Sequence, residues 1–201
     1  MKRIVKANGR FVSFKHSAFI LYNKYLLRAV PSLLSNDETS DPLSSLTLNE
    51  EILSEFPIKT RTHVMRRSIT LRIWFSRLFG LYEGAKELVD KFQSIVAHNP
   101  FAPSFDTINE YFYVGLIAFD LQRKDDADKE YWDALGADVI EKFKEWVEIG
   151  CDWNFESKMQ MLVAERAYCK RDVNVATAAY DEAIAAAEQH GLIHEEALAC
   201  E

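Results

Sequence analysis

Between Val173 and Gln189 the apolar residues keep one spacing: Ala176, Ala179, Tyr180, Ala183, Ile184 and Ala187 stand at i, i+3, i+4, i+7, i+8 and i+11. An α-helix, turning once every 3.6 residues or so, is the element that gathers such positions on one face. The same period returns along most of the chain. It predicts helices over Thr60–Phe79, over Glu83–Ala97 (Ala85, Leu88, Val89, Phe92, Val96), and from Asp106 or Thr107 through Ile108, Tyr111, Phe112, Gly115, Leu116, Phe119 and Leu121. Further helices follow over Tyr131–Ile149, Lys158–Lys170 and Ile193–Glu201. Gly80, Gly150 and Gly191 follow helical runs, where a left-handed cap favours glycine. Asp172 suits a helix N-cap, and Glu195 and Glu196 stand in a first turn, where the helix dipole favours acids. The segment CDWNFESK (151–158) reads as a loop with Asn154 or Ser157 capping the next helix. Links this short join helices as antiparallel pairs, so the expected fold is all-α, built of antiparallel helix hairpins stacked on one another.

Upstream the pattern is looser. Residues 15–34 read as a helix, SNDETSDPLSSL (35–46) as a polar surface loop, and Leu48–Phe56 as a short helix stopped by Pro57. The division is therefore 1–57, N-terminal helices and a flexible loop, and 58–201, the stacked hairpins. Only 7 Gly and 5 Pro occur in 201 residues, too few for the many tight turns of a sandwich or barrel. The apolar run Ser17–Tyr22 is too short for a signal peptide, and nothing approaches the roughly 20 apolar residues of a membrane span. The three cysteines, Cys151, Cys169 and Cys200, lack metal-knuckle or redox-pair spacing. Reduced thiols and a cytoplasmic location are expected. Charge is split. Residues 1–100 carry 15 Lys/Arg against 9 Asp/Glu, and residues 101–201 carry 9 against 22.

Two segments align across the chain: FGLYEGAKELVDKF (79–92) and KRDVNVATAAYDEA (170–183). Ala85 falls on Ala176, Val89 on Tyr180 and Phe92 on Ala183. This resembles the tetratricopeptide pattern, in which small residues let two helices approach and an aromatic fills the remaining groove. Gln160 at the usual Trp position, Ala164 at the usual Gly, and the lack of a strict period of about 34 residues depart from the consensus. Residues 153–201 resemble more narrowly the tetratricopeptide-like helical region of very large signalling proteins. In those proteins a protein-kinase-like domain and a nucleotide-binding ATPase module precede the helices, and a sensor and a histidine-kinase domain follow. The likeness rests on Asn154-Phe155, Ala164–Arg166, Tyr180-Asp181, Ala183-Ile184, His190-Gly191, Glu195–Ala199 and Glu201, and on FDTINEYFYVGLIAFDL (105–121). It covers about 105–201, is loose over 58–100 and does not extend to 1–57. It implies a non-catalytic interaction and regulatory module that forms part of a signal-transduction ATPase or kinase protein. The kinase, ATPase and sensor signatures themselves are missing from this chain, and no cofactor or catalytic residue is expected.

Helical stacks offer partners the concave face of their first helices, which places Lys158, Gln160, Glu165 and Arg166 on a partner surface. The partner would be another protein or a neighbouring domain. The acid-free run KTRTHVMRRSITLRIWFSR (59–77) offers Arg61, Arg66, Arg67, Arg72 and Arg77 as a basic surface for nucleic acid or an anionic membrane; a basic helix face against acidic neighbours is the plainer reading. A cryptic enzyme is the remaining alternative. His190 and His194 have zinc-ligand spacing only on one continuous helix, which Gly191 interrupts. The acidic turn Asp125, Asp126, Asp128, Glu130 lacks the central Gly of a calcium loop. His16 and His63 have no nucleophile beside them in sequence. Tyr111-Phe112-Tyr113, Phe119, Trp132, Trp146 and Trp153 read as core rather than as a ligand groove. Ile193–Glu201, with Ile193, Ala197, Leu198 and Cys200 on one face, reads as half a hairpin. It is expected to fray, to fold back on the preceding helix or to dock on another molecule, with self-association of the chain through this edge, and more chain is expected beyond it.

Overall fold

A computed structural model describes residues 57–201 other than 83, 99–104, 125–126 and 150–151, with Leu27 and Ser54 as isolated residues. The readings made for 15–34, 35–46 and Leu48–Phe56 lie outside the described residues, apart from Leu27 and Ser54. Two compact units divide the chain, Met1–Phe101 and Ala102–Glu201. Seven α-helices and no strand occur among the described residues.

In the first unit α1 (Ile58–Leu78) packs on α2 (Ala85–His98). Gly80, at φ 66°, ends α1 in the left-handed conformation, and Leu81 N–H reaches back to the Ser76 carbonyl at 2.7 Å. Of the predicted stripe of α2, Ala85, Leu88, Val89 and Phe92 are at most 3 % exposed and Val96 is half-buried.

The second unit holds α3 (Phe105–Lys124), α4 (Lys129–Ile149), α5 (Asp152–Cys169), α6 (Val173–His190) and α7 (Ile193–Cys200). Each packs on its successor, mostly antiparallel, because the links are too short for anything else. In addition α5 touches α3 and α7, so α5 has four helical neighbours. The core joins Ile108, Phe112, Leu116 and Phe119 of α3 to Val139, Ile140 and Phe143 of α4, Met161 and Leu162 of α5, Ala183 of α6 and Ala199 of α7. The α5–α6 interface is the most extensive. Its closeness follows from the alanines: Ala164 and Ala167 on α5, and Ala176, Ala179, Ala183 and Ala187 on α6, are buried. Gly115 and Gly136 serve the same end. A Cβ on Gly115 would stand 2.7 Å from Leu162 Cδ2, and one on Gly136 would stand 2.3 Å from the Phe119 ring.

The caps behave as read at both ends of α6. The Asp172 carboxylate accepts from Val175 N–H at 3.2 Å, and Gly191 adopts φ 65°. Arg171 also adopts a left-handed φ of 61° between α5 and α6, where an L-residue is disfavoured by about 1–2 kcal/mol. Two expectations are corrected. Residues 152–158 are the first two turns of α5 and not a loop, with Ser157 and Lys158 buried. The helical spacing of Phe155, Met159 and Leu162 extends upstream to Asp152, whose charge suits a first turn. In α7 the buried residue is Ala199, while Ile193, Ala197 and Cys200 are exposed and Leu198 is partly covered. This helix folds back on α6 and α5, one of the three expected outcomes, but with its face turned from the expected one.

Candidate interaction surface

The four residues assigned to a partner surface lie on α5, the helix with the most helical neighbours, and three of them pair with those neighbours. Lys158 is 4 % exposed; its ammonium bonds Glu195 of α7 and lies 5.8 Å from the Phe112 ring centroid of α3. Glu165 is 7 % exposed and accepts from Arg123 of α3 at 2.6 Å. Arg166 donates through Nε and Nη2 to the two oxygens of Asp133 on α4, at 2.9 and 3.0 Å. Gln160 is half-buried. Packing against four helices buries Lys158 and Glu165, and both of these charges are paired, since an isolated buried charge is very costly. Lys158, Glu165 and Arg166 therefore tie α5 to α7, α3 and α4.

Arg123 is the centre of the largest of these ties. It bonds Asp120 as well as Glu165, its Nη1 lies 3.5 Å from Cys169 Sγ, and its guanidinium stacks 5.5 Å from the Tyr168 ring centroid. Burial alone would lower its pKa, but the charges of Glu165 and Asp120 outweigh that and hold it above the ordinary arginine value. The Cys169 thiol donates to the Phe119 carbonyl at 3.4 Å. Burial pushes its pKa up against the pull of Arg123, so it stays a thiol at neutral pH. The signal for this cluster stood in the sequence as Asp120 and Arg123, spaced i and i+3 in the last turns of an apolar helix. Nothing in the sequence joined it to Glu165, 42 positions away.

The hydrogen bonds from Arg166 hold the Asp133 carboxyl below its usual 3.8. A carboxylate with a depressed folded pKa adds stability that is present above the unfolded value and lost as pH falls through the folded one. Asp133→Asn is thus expected to lower the urea midpoint near pH 7, by the equivalent of about 0.5–1 kcal/mol for so exposed a pair. The difference should shrink as pH falls below about 3.8. A midpoint difference that is constant from pH 7 to pH 2.5 would show that the clasp is not electrostatic.

The five arginines of the basic run lie on α1. Arg66 and Arg67 are 2 % and 8 % exposed, and Arg61, Arg72 and Arg77 are half-buried. Steps of five, one, five and five residues carry these side chains around the helix axis instead of along one stripe. Burial and the neighbouring Arg67 and Arg66 charges push His63 below its ordinary value. His190 ends α6 and His194 lies on α7, where its Nε2 meets the Tyr113 hydroxyl of α3 at 3.1 Å. Asp125, Asp126, Cys151 and His16 lie outside the described residues. Of the aromatics, Phe112, Phe119 and Trp132 are fully buried, and Trp146 stacks edge-on with Tyr111, Phe143 and Phe155. Trp153 is the exception, at 49 % exposed.

The exposed large apolar side chains of the second unit lie near the ends of its helices. Ile149 at the end of α4 is 84 % exposed, and Ile193 at the start of α7 is 77 % exposed. Trp153 at the start of α5 stacks on His190 at the end of α6, ring centroids 6.5 Å apart. At the opposite end of α5, an open depression of about 310 Å³ is lined by Gln122, Lys129, Glu130, Asp133, Ala134 and Lys170. Sequence reading placed Ile193 on the open face of the last helix but passed over Ile149, because an isolated apolar residue beside a turn carries no periodic signal.

No group of three or more His, Cys, Asp or Glu side chains is placed to hold a metal among the described residues, and no described helix is long and apolar enough to cross a membrane. Comparison of the chain with family models, with characterised proteins and with solved structures finds no match. The described residues are all-helical, and within each unit the helices pack in sequence order.

Proposed function

We propose that this chain is a non-catalytic, tetratricopeptide-like interaction module that serves a larger signal-transduction ATPase or kinase protein. The supporting observation is the packing of α5 against α3 and α7 as well as against α4 and α6. Such contacts between alternate helices are what stacking of hairpins requires, since each hairpin buries an apolar face that it cannot bury alone. The likeness of residues 105–201 to the helical region of the signalling proteins supplies the kind of partner, a kinase or ATPase domain. Lys158, Glu165 and Arg166 of α5 pair with neighbouring helices, so the partner-facing surface is assigned to the helix ends, where large apolar side chains meet water.

A photo-crosslinking residue placed at Ile149 or Ile193 in the cell tests this. Mass spectrometry is expected to identify a covalent adduct with a kinase or ATPase domain. The same residue at Asp181, exposed on α6, should give little of it. Equal labelling from all three positions, or adducts that carry no such domain, would overturn the proposal.

A further inference from the structure

The end of the second unit formed by the last turn of α4, the first of α5, the last of α6 and the first of α7 has a definite chemistry. Antiparallel order brings these four termini together. Ile149, Trp153 and Ile193 are exposed there at 84 %, 49 % and 77 %. Exposed apolar side chains of this size, grouped at one end and bounded by polar residues, mark interaction sites. The boundary is acidic. Glu148 stands beside Ile149, Asp152 beside Trp153, and Glu188 within two residues of His190. All three are exposed, and Glu148 and Glu188 enter no ion pair among the described residues. Lysines of the same helices are turned elsewhere: Lys144 bonds Glu141 at 2.8 Å, Lys142 lies over the Tyr111 ring and Lys158 bonds Glu195.

We propose that this end face is the docking site for a basic amphipathic helix of a partner protein. This rests on the interaction-module reading and adds to it the chemistry of the partner. An apolar stripe on such a helix covers Ile149, Trp153 and Ile193, and its flanking Lys and Arg side chains face the acidic rim. Charge complementarity decides between occupants. A second copy would bring the same acids against each other at this face, and an anionic surface would be repelled by them.

The test uses the full chain and a fluorescently labelled 18-residue helical peptide of Leu and Lys, with a Leu and Glu peptide of the same pattern as control. Fluorescence anisotropy should show binding of the Lys peptide only, weakening as salt rises. Trp153→Ser and Ile193→Ser should each weaken it by at least about tenfold, as loss of a central anchor does. Glu148→Lys with Glu188→Lys should weaken it as much. Asp181→Lys with Glu182→Lys, exposed on α6, changes the net charge equally and should leave binding within about twofold. The paired charge reversals keep the apolar residues intact, so they remain informative if a serine variant lowers the melting temperature. Binding that is lost equally in both charge pairs, or absent in the unmodified chain, overturns the proposal. So does concentration-dependent self-association that Trp153→Ser abolishes, which would make a second copy the occupant. If the peptide fails while crosslinking at Ile149 still captures a kinase or ATPase domain, only the basic-helix chemistry falls and the module reading stands.

Discussion

Arg123→Met is expected to destabilise the second unit by about 3 kcal/mol. Asp120 and Glu165 are 8 % and 9 % exposed at their side chains, and both bond this one guanidinium. Removing the cation takes from two nearly buried carboxylates the guanidinium that they share. Breaking a buried pair from one side costs about 3–5 kcal/mol, and the 27 % exposure of Arg123 places this case at the low end. The loss belongs to the missing cation and not to the missing packing, because Met keeps much of the stem's volume. The triple variant Arg123→Met, Asp120→Asn, Glu165→Gln should therefore recover most of it. Native-state amide exchange across α3 and α5 reads the effect within the unit, which matters in a chain of two compact units that need not unfold together. A triple variant no more stable than the single one would show that Arg123 acts by packing alone.

Gly136→Ala should also destabilise the protein, by about 2–3 kcal/mol, although alanine is the better helix former by about 1 kcal/mol. The reason is steric. The added methyl would stand 2.3 and 2.4 Å from two atoms of the Phe119 ring, which is fully buried and has nowhere to retreat. Phe119→Leu alone should cost stability by opening space, yet in the double variant the smaller side chain makes room for the methyl. The two changes together should cost clearly less than their separate costs added, a coupling of about 1 kcal/mol or more. Strict additivity in urea midpoints would mean that the two helices do not meet at Gly136.

The helices were legible where apolar periodicity is strong and turns are marked by glycine or a capping acid. Val173–His190 is the clearest instance, with Asp172 and Gly191 at its ends. The start of α5 was misread because Asp152-Trp153-Asn154 carries polar, turn-like residues, while the packing that holds it helical comes from elements distant in sequence. Burial of Lys158 and Glu165 was illegible for the same reason. Charged residues on an amphipathic helix normally mark its solvated side, and only the positions of α3 and α7 decide that here the partners are Arg123 and Glu195. The five arginines of α1 misled in the opposite direction. Their density suggested a face, but their spacing never placed them on one. Ile149, Trp153 and Ile193 came together only once the antiparallel order of four helices was known.

Amide hydrogen exchange of the chain, with and without the Leu and Lys peptide, bears most directly on the central claim that α5 is the enclosed middle of the stack and that binding takes place at the helix ends. In the free chain the amides of Met161–Ala167 should be the slowest of the second unit, and those at the end of α4 and the start of α7 among the fastest. Adding the peptide should slow exchange around Ile149, Trp153 and Ile193 and leave the centre of α5 as it was. Fast exchange through Met161–Ala167 in the free chain, or peptide protection centred on Lys158–Arg166, would contradict it.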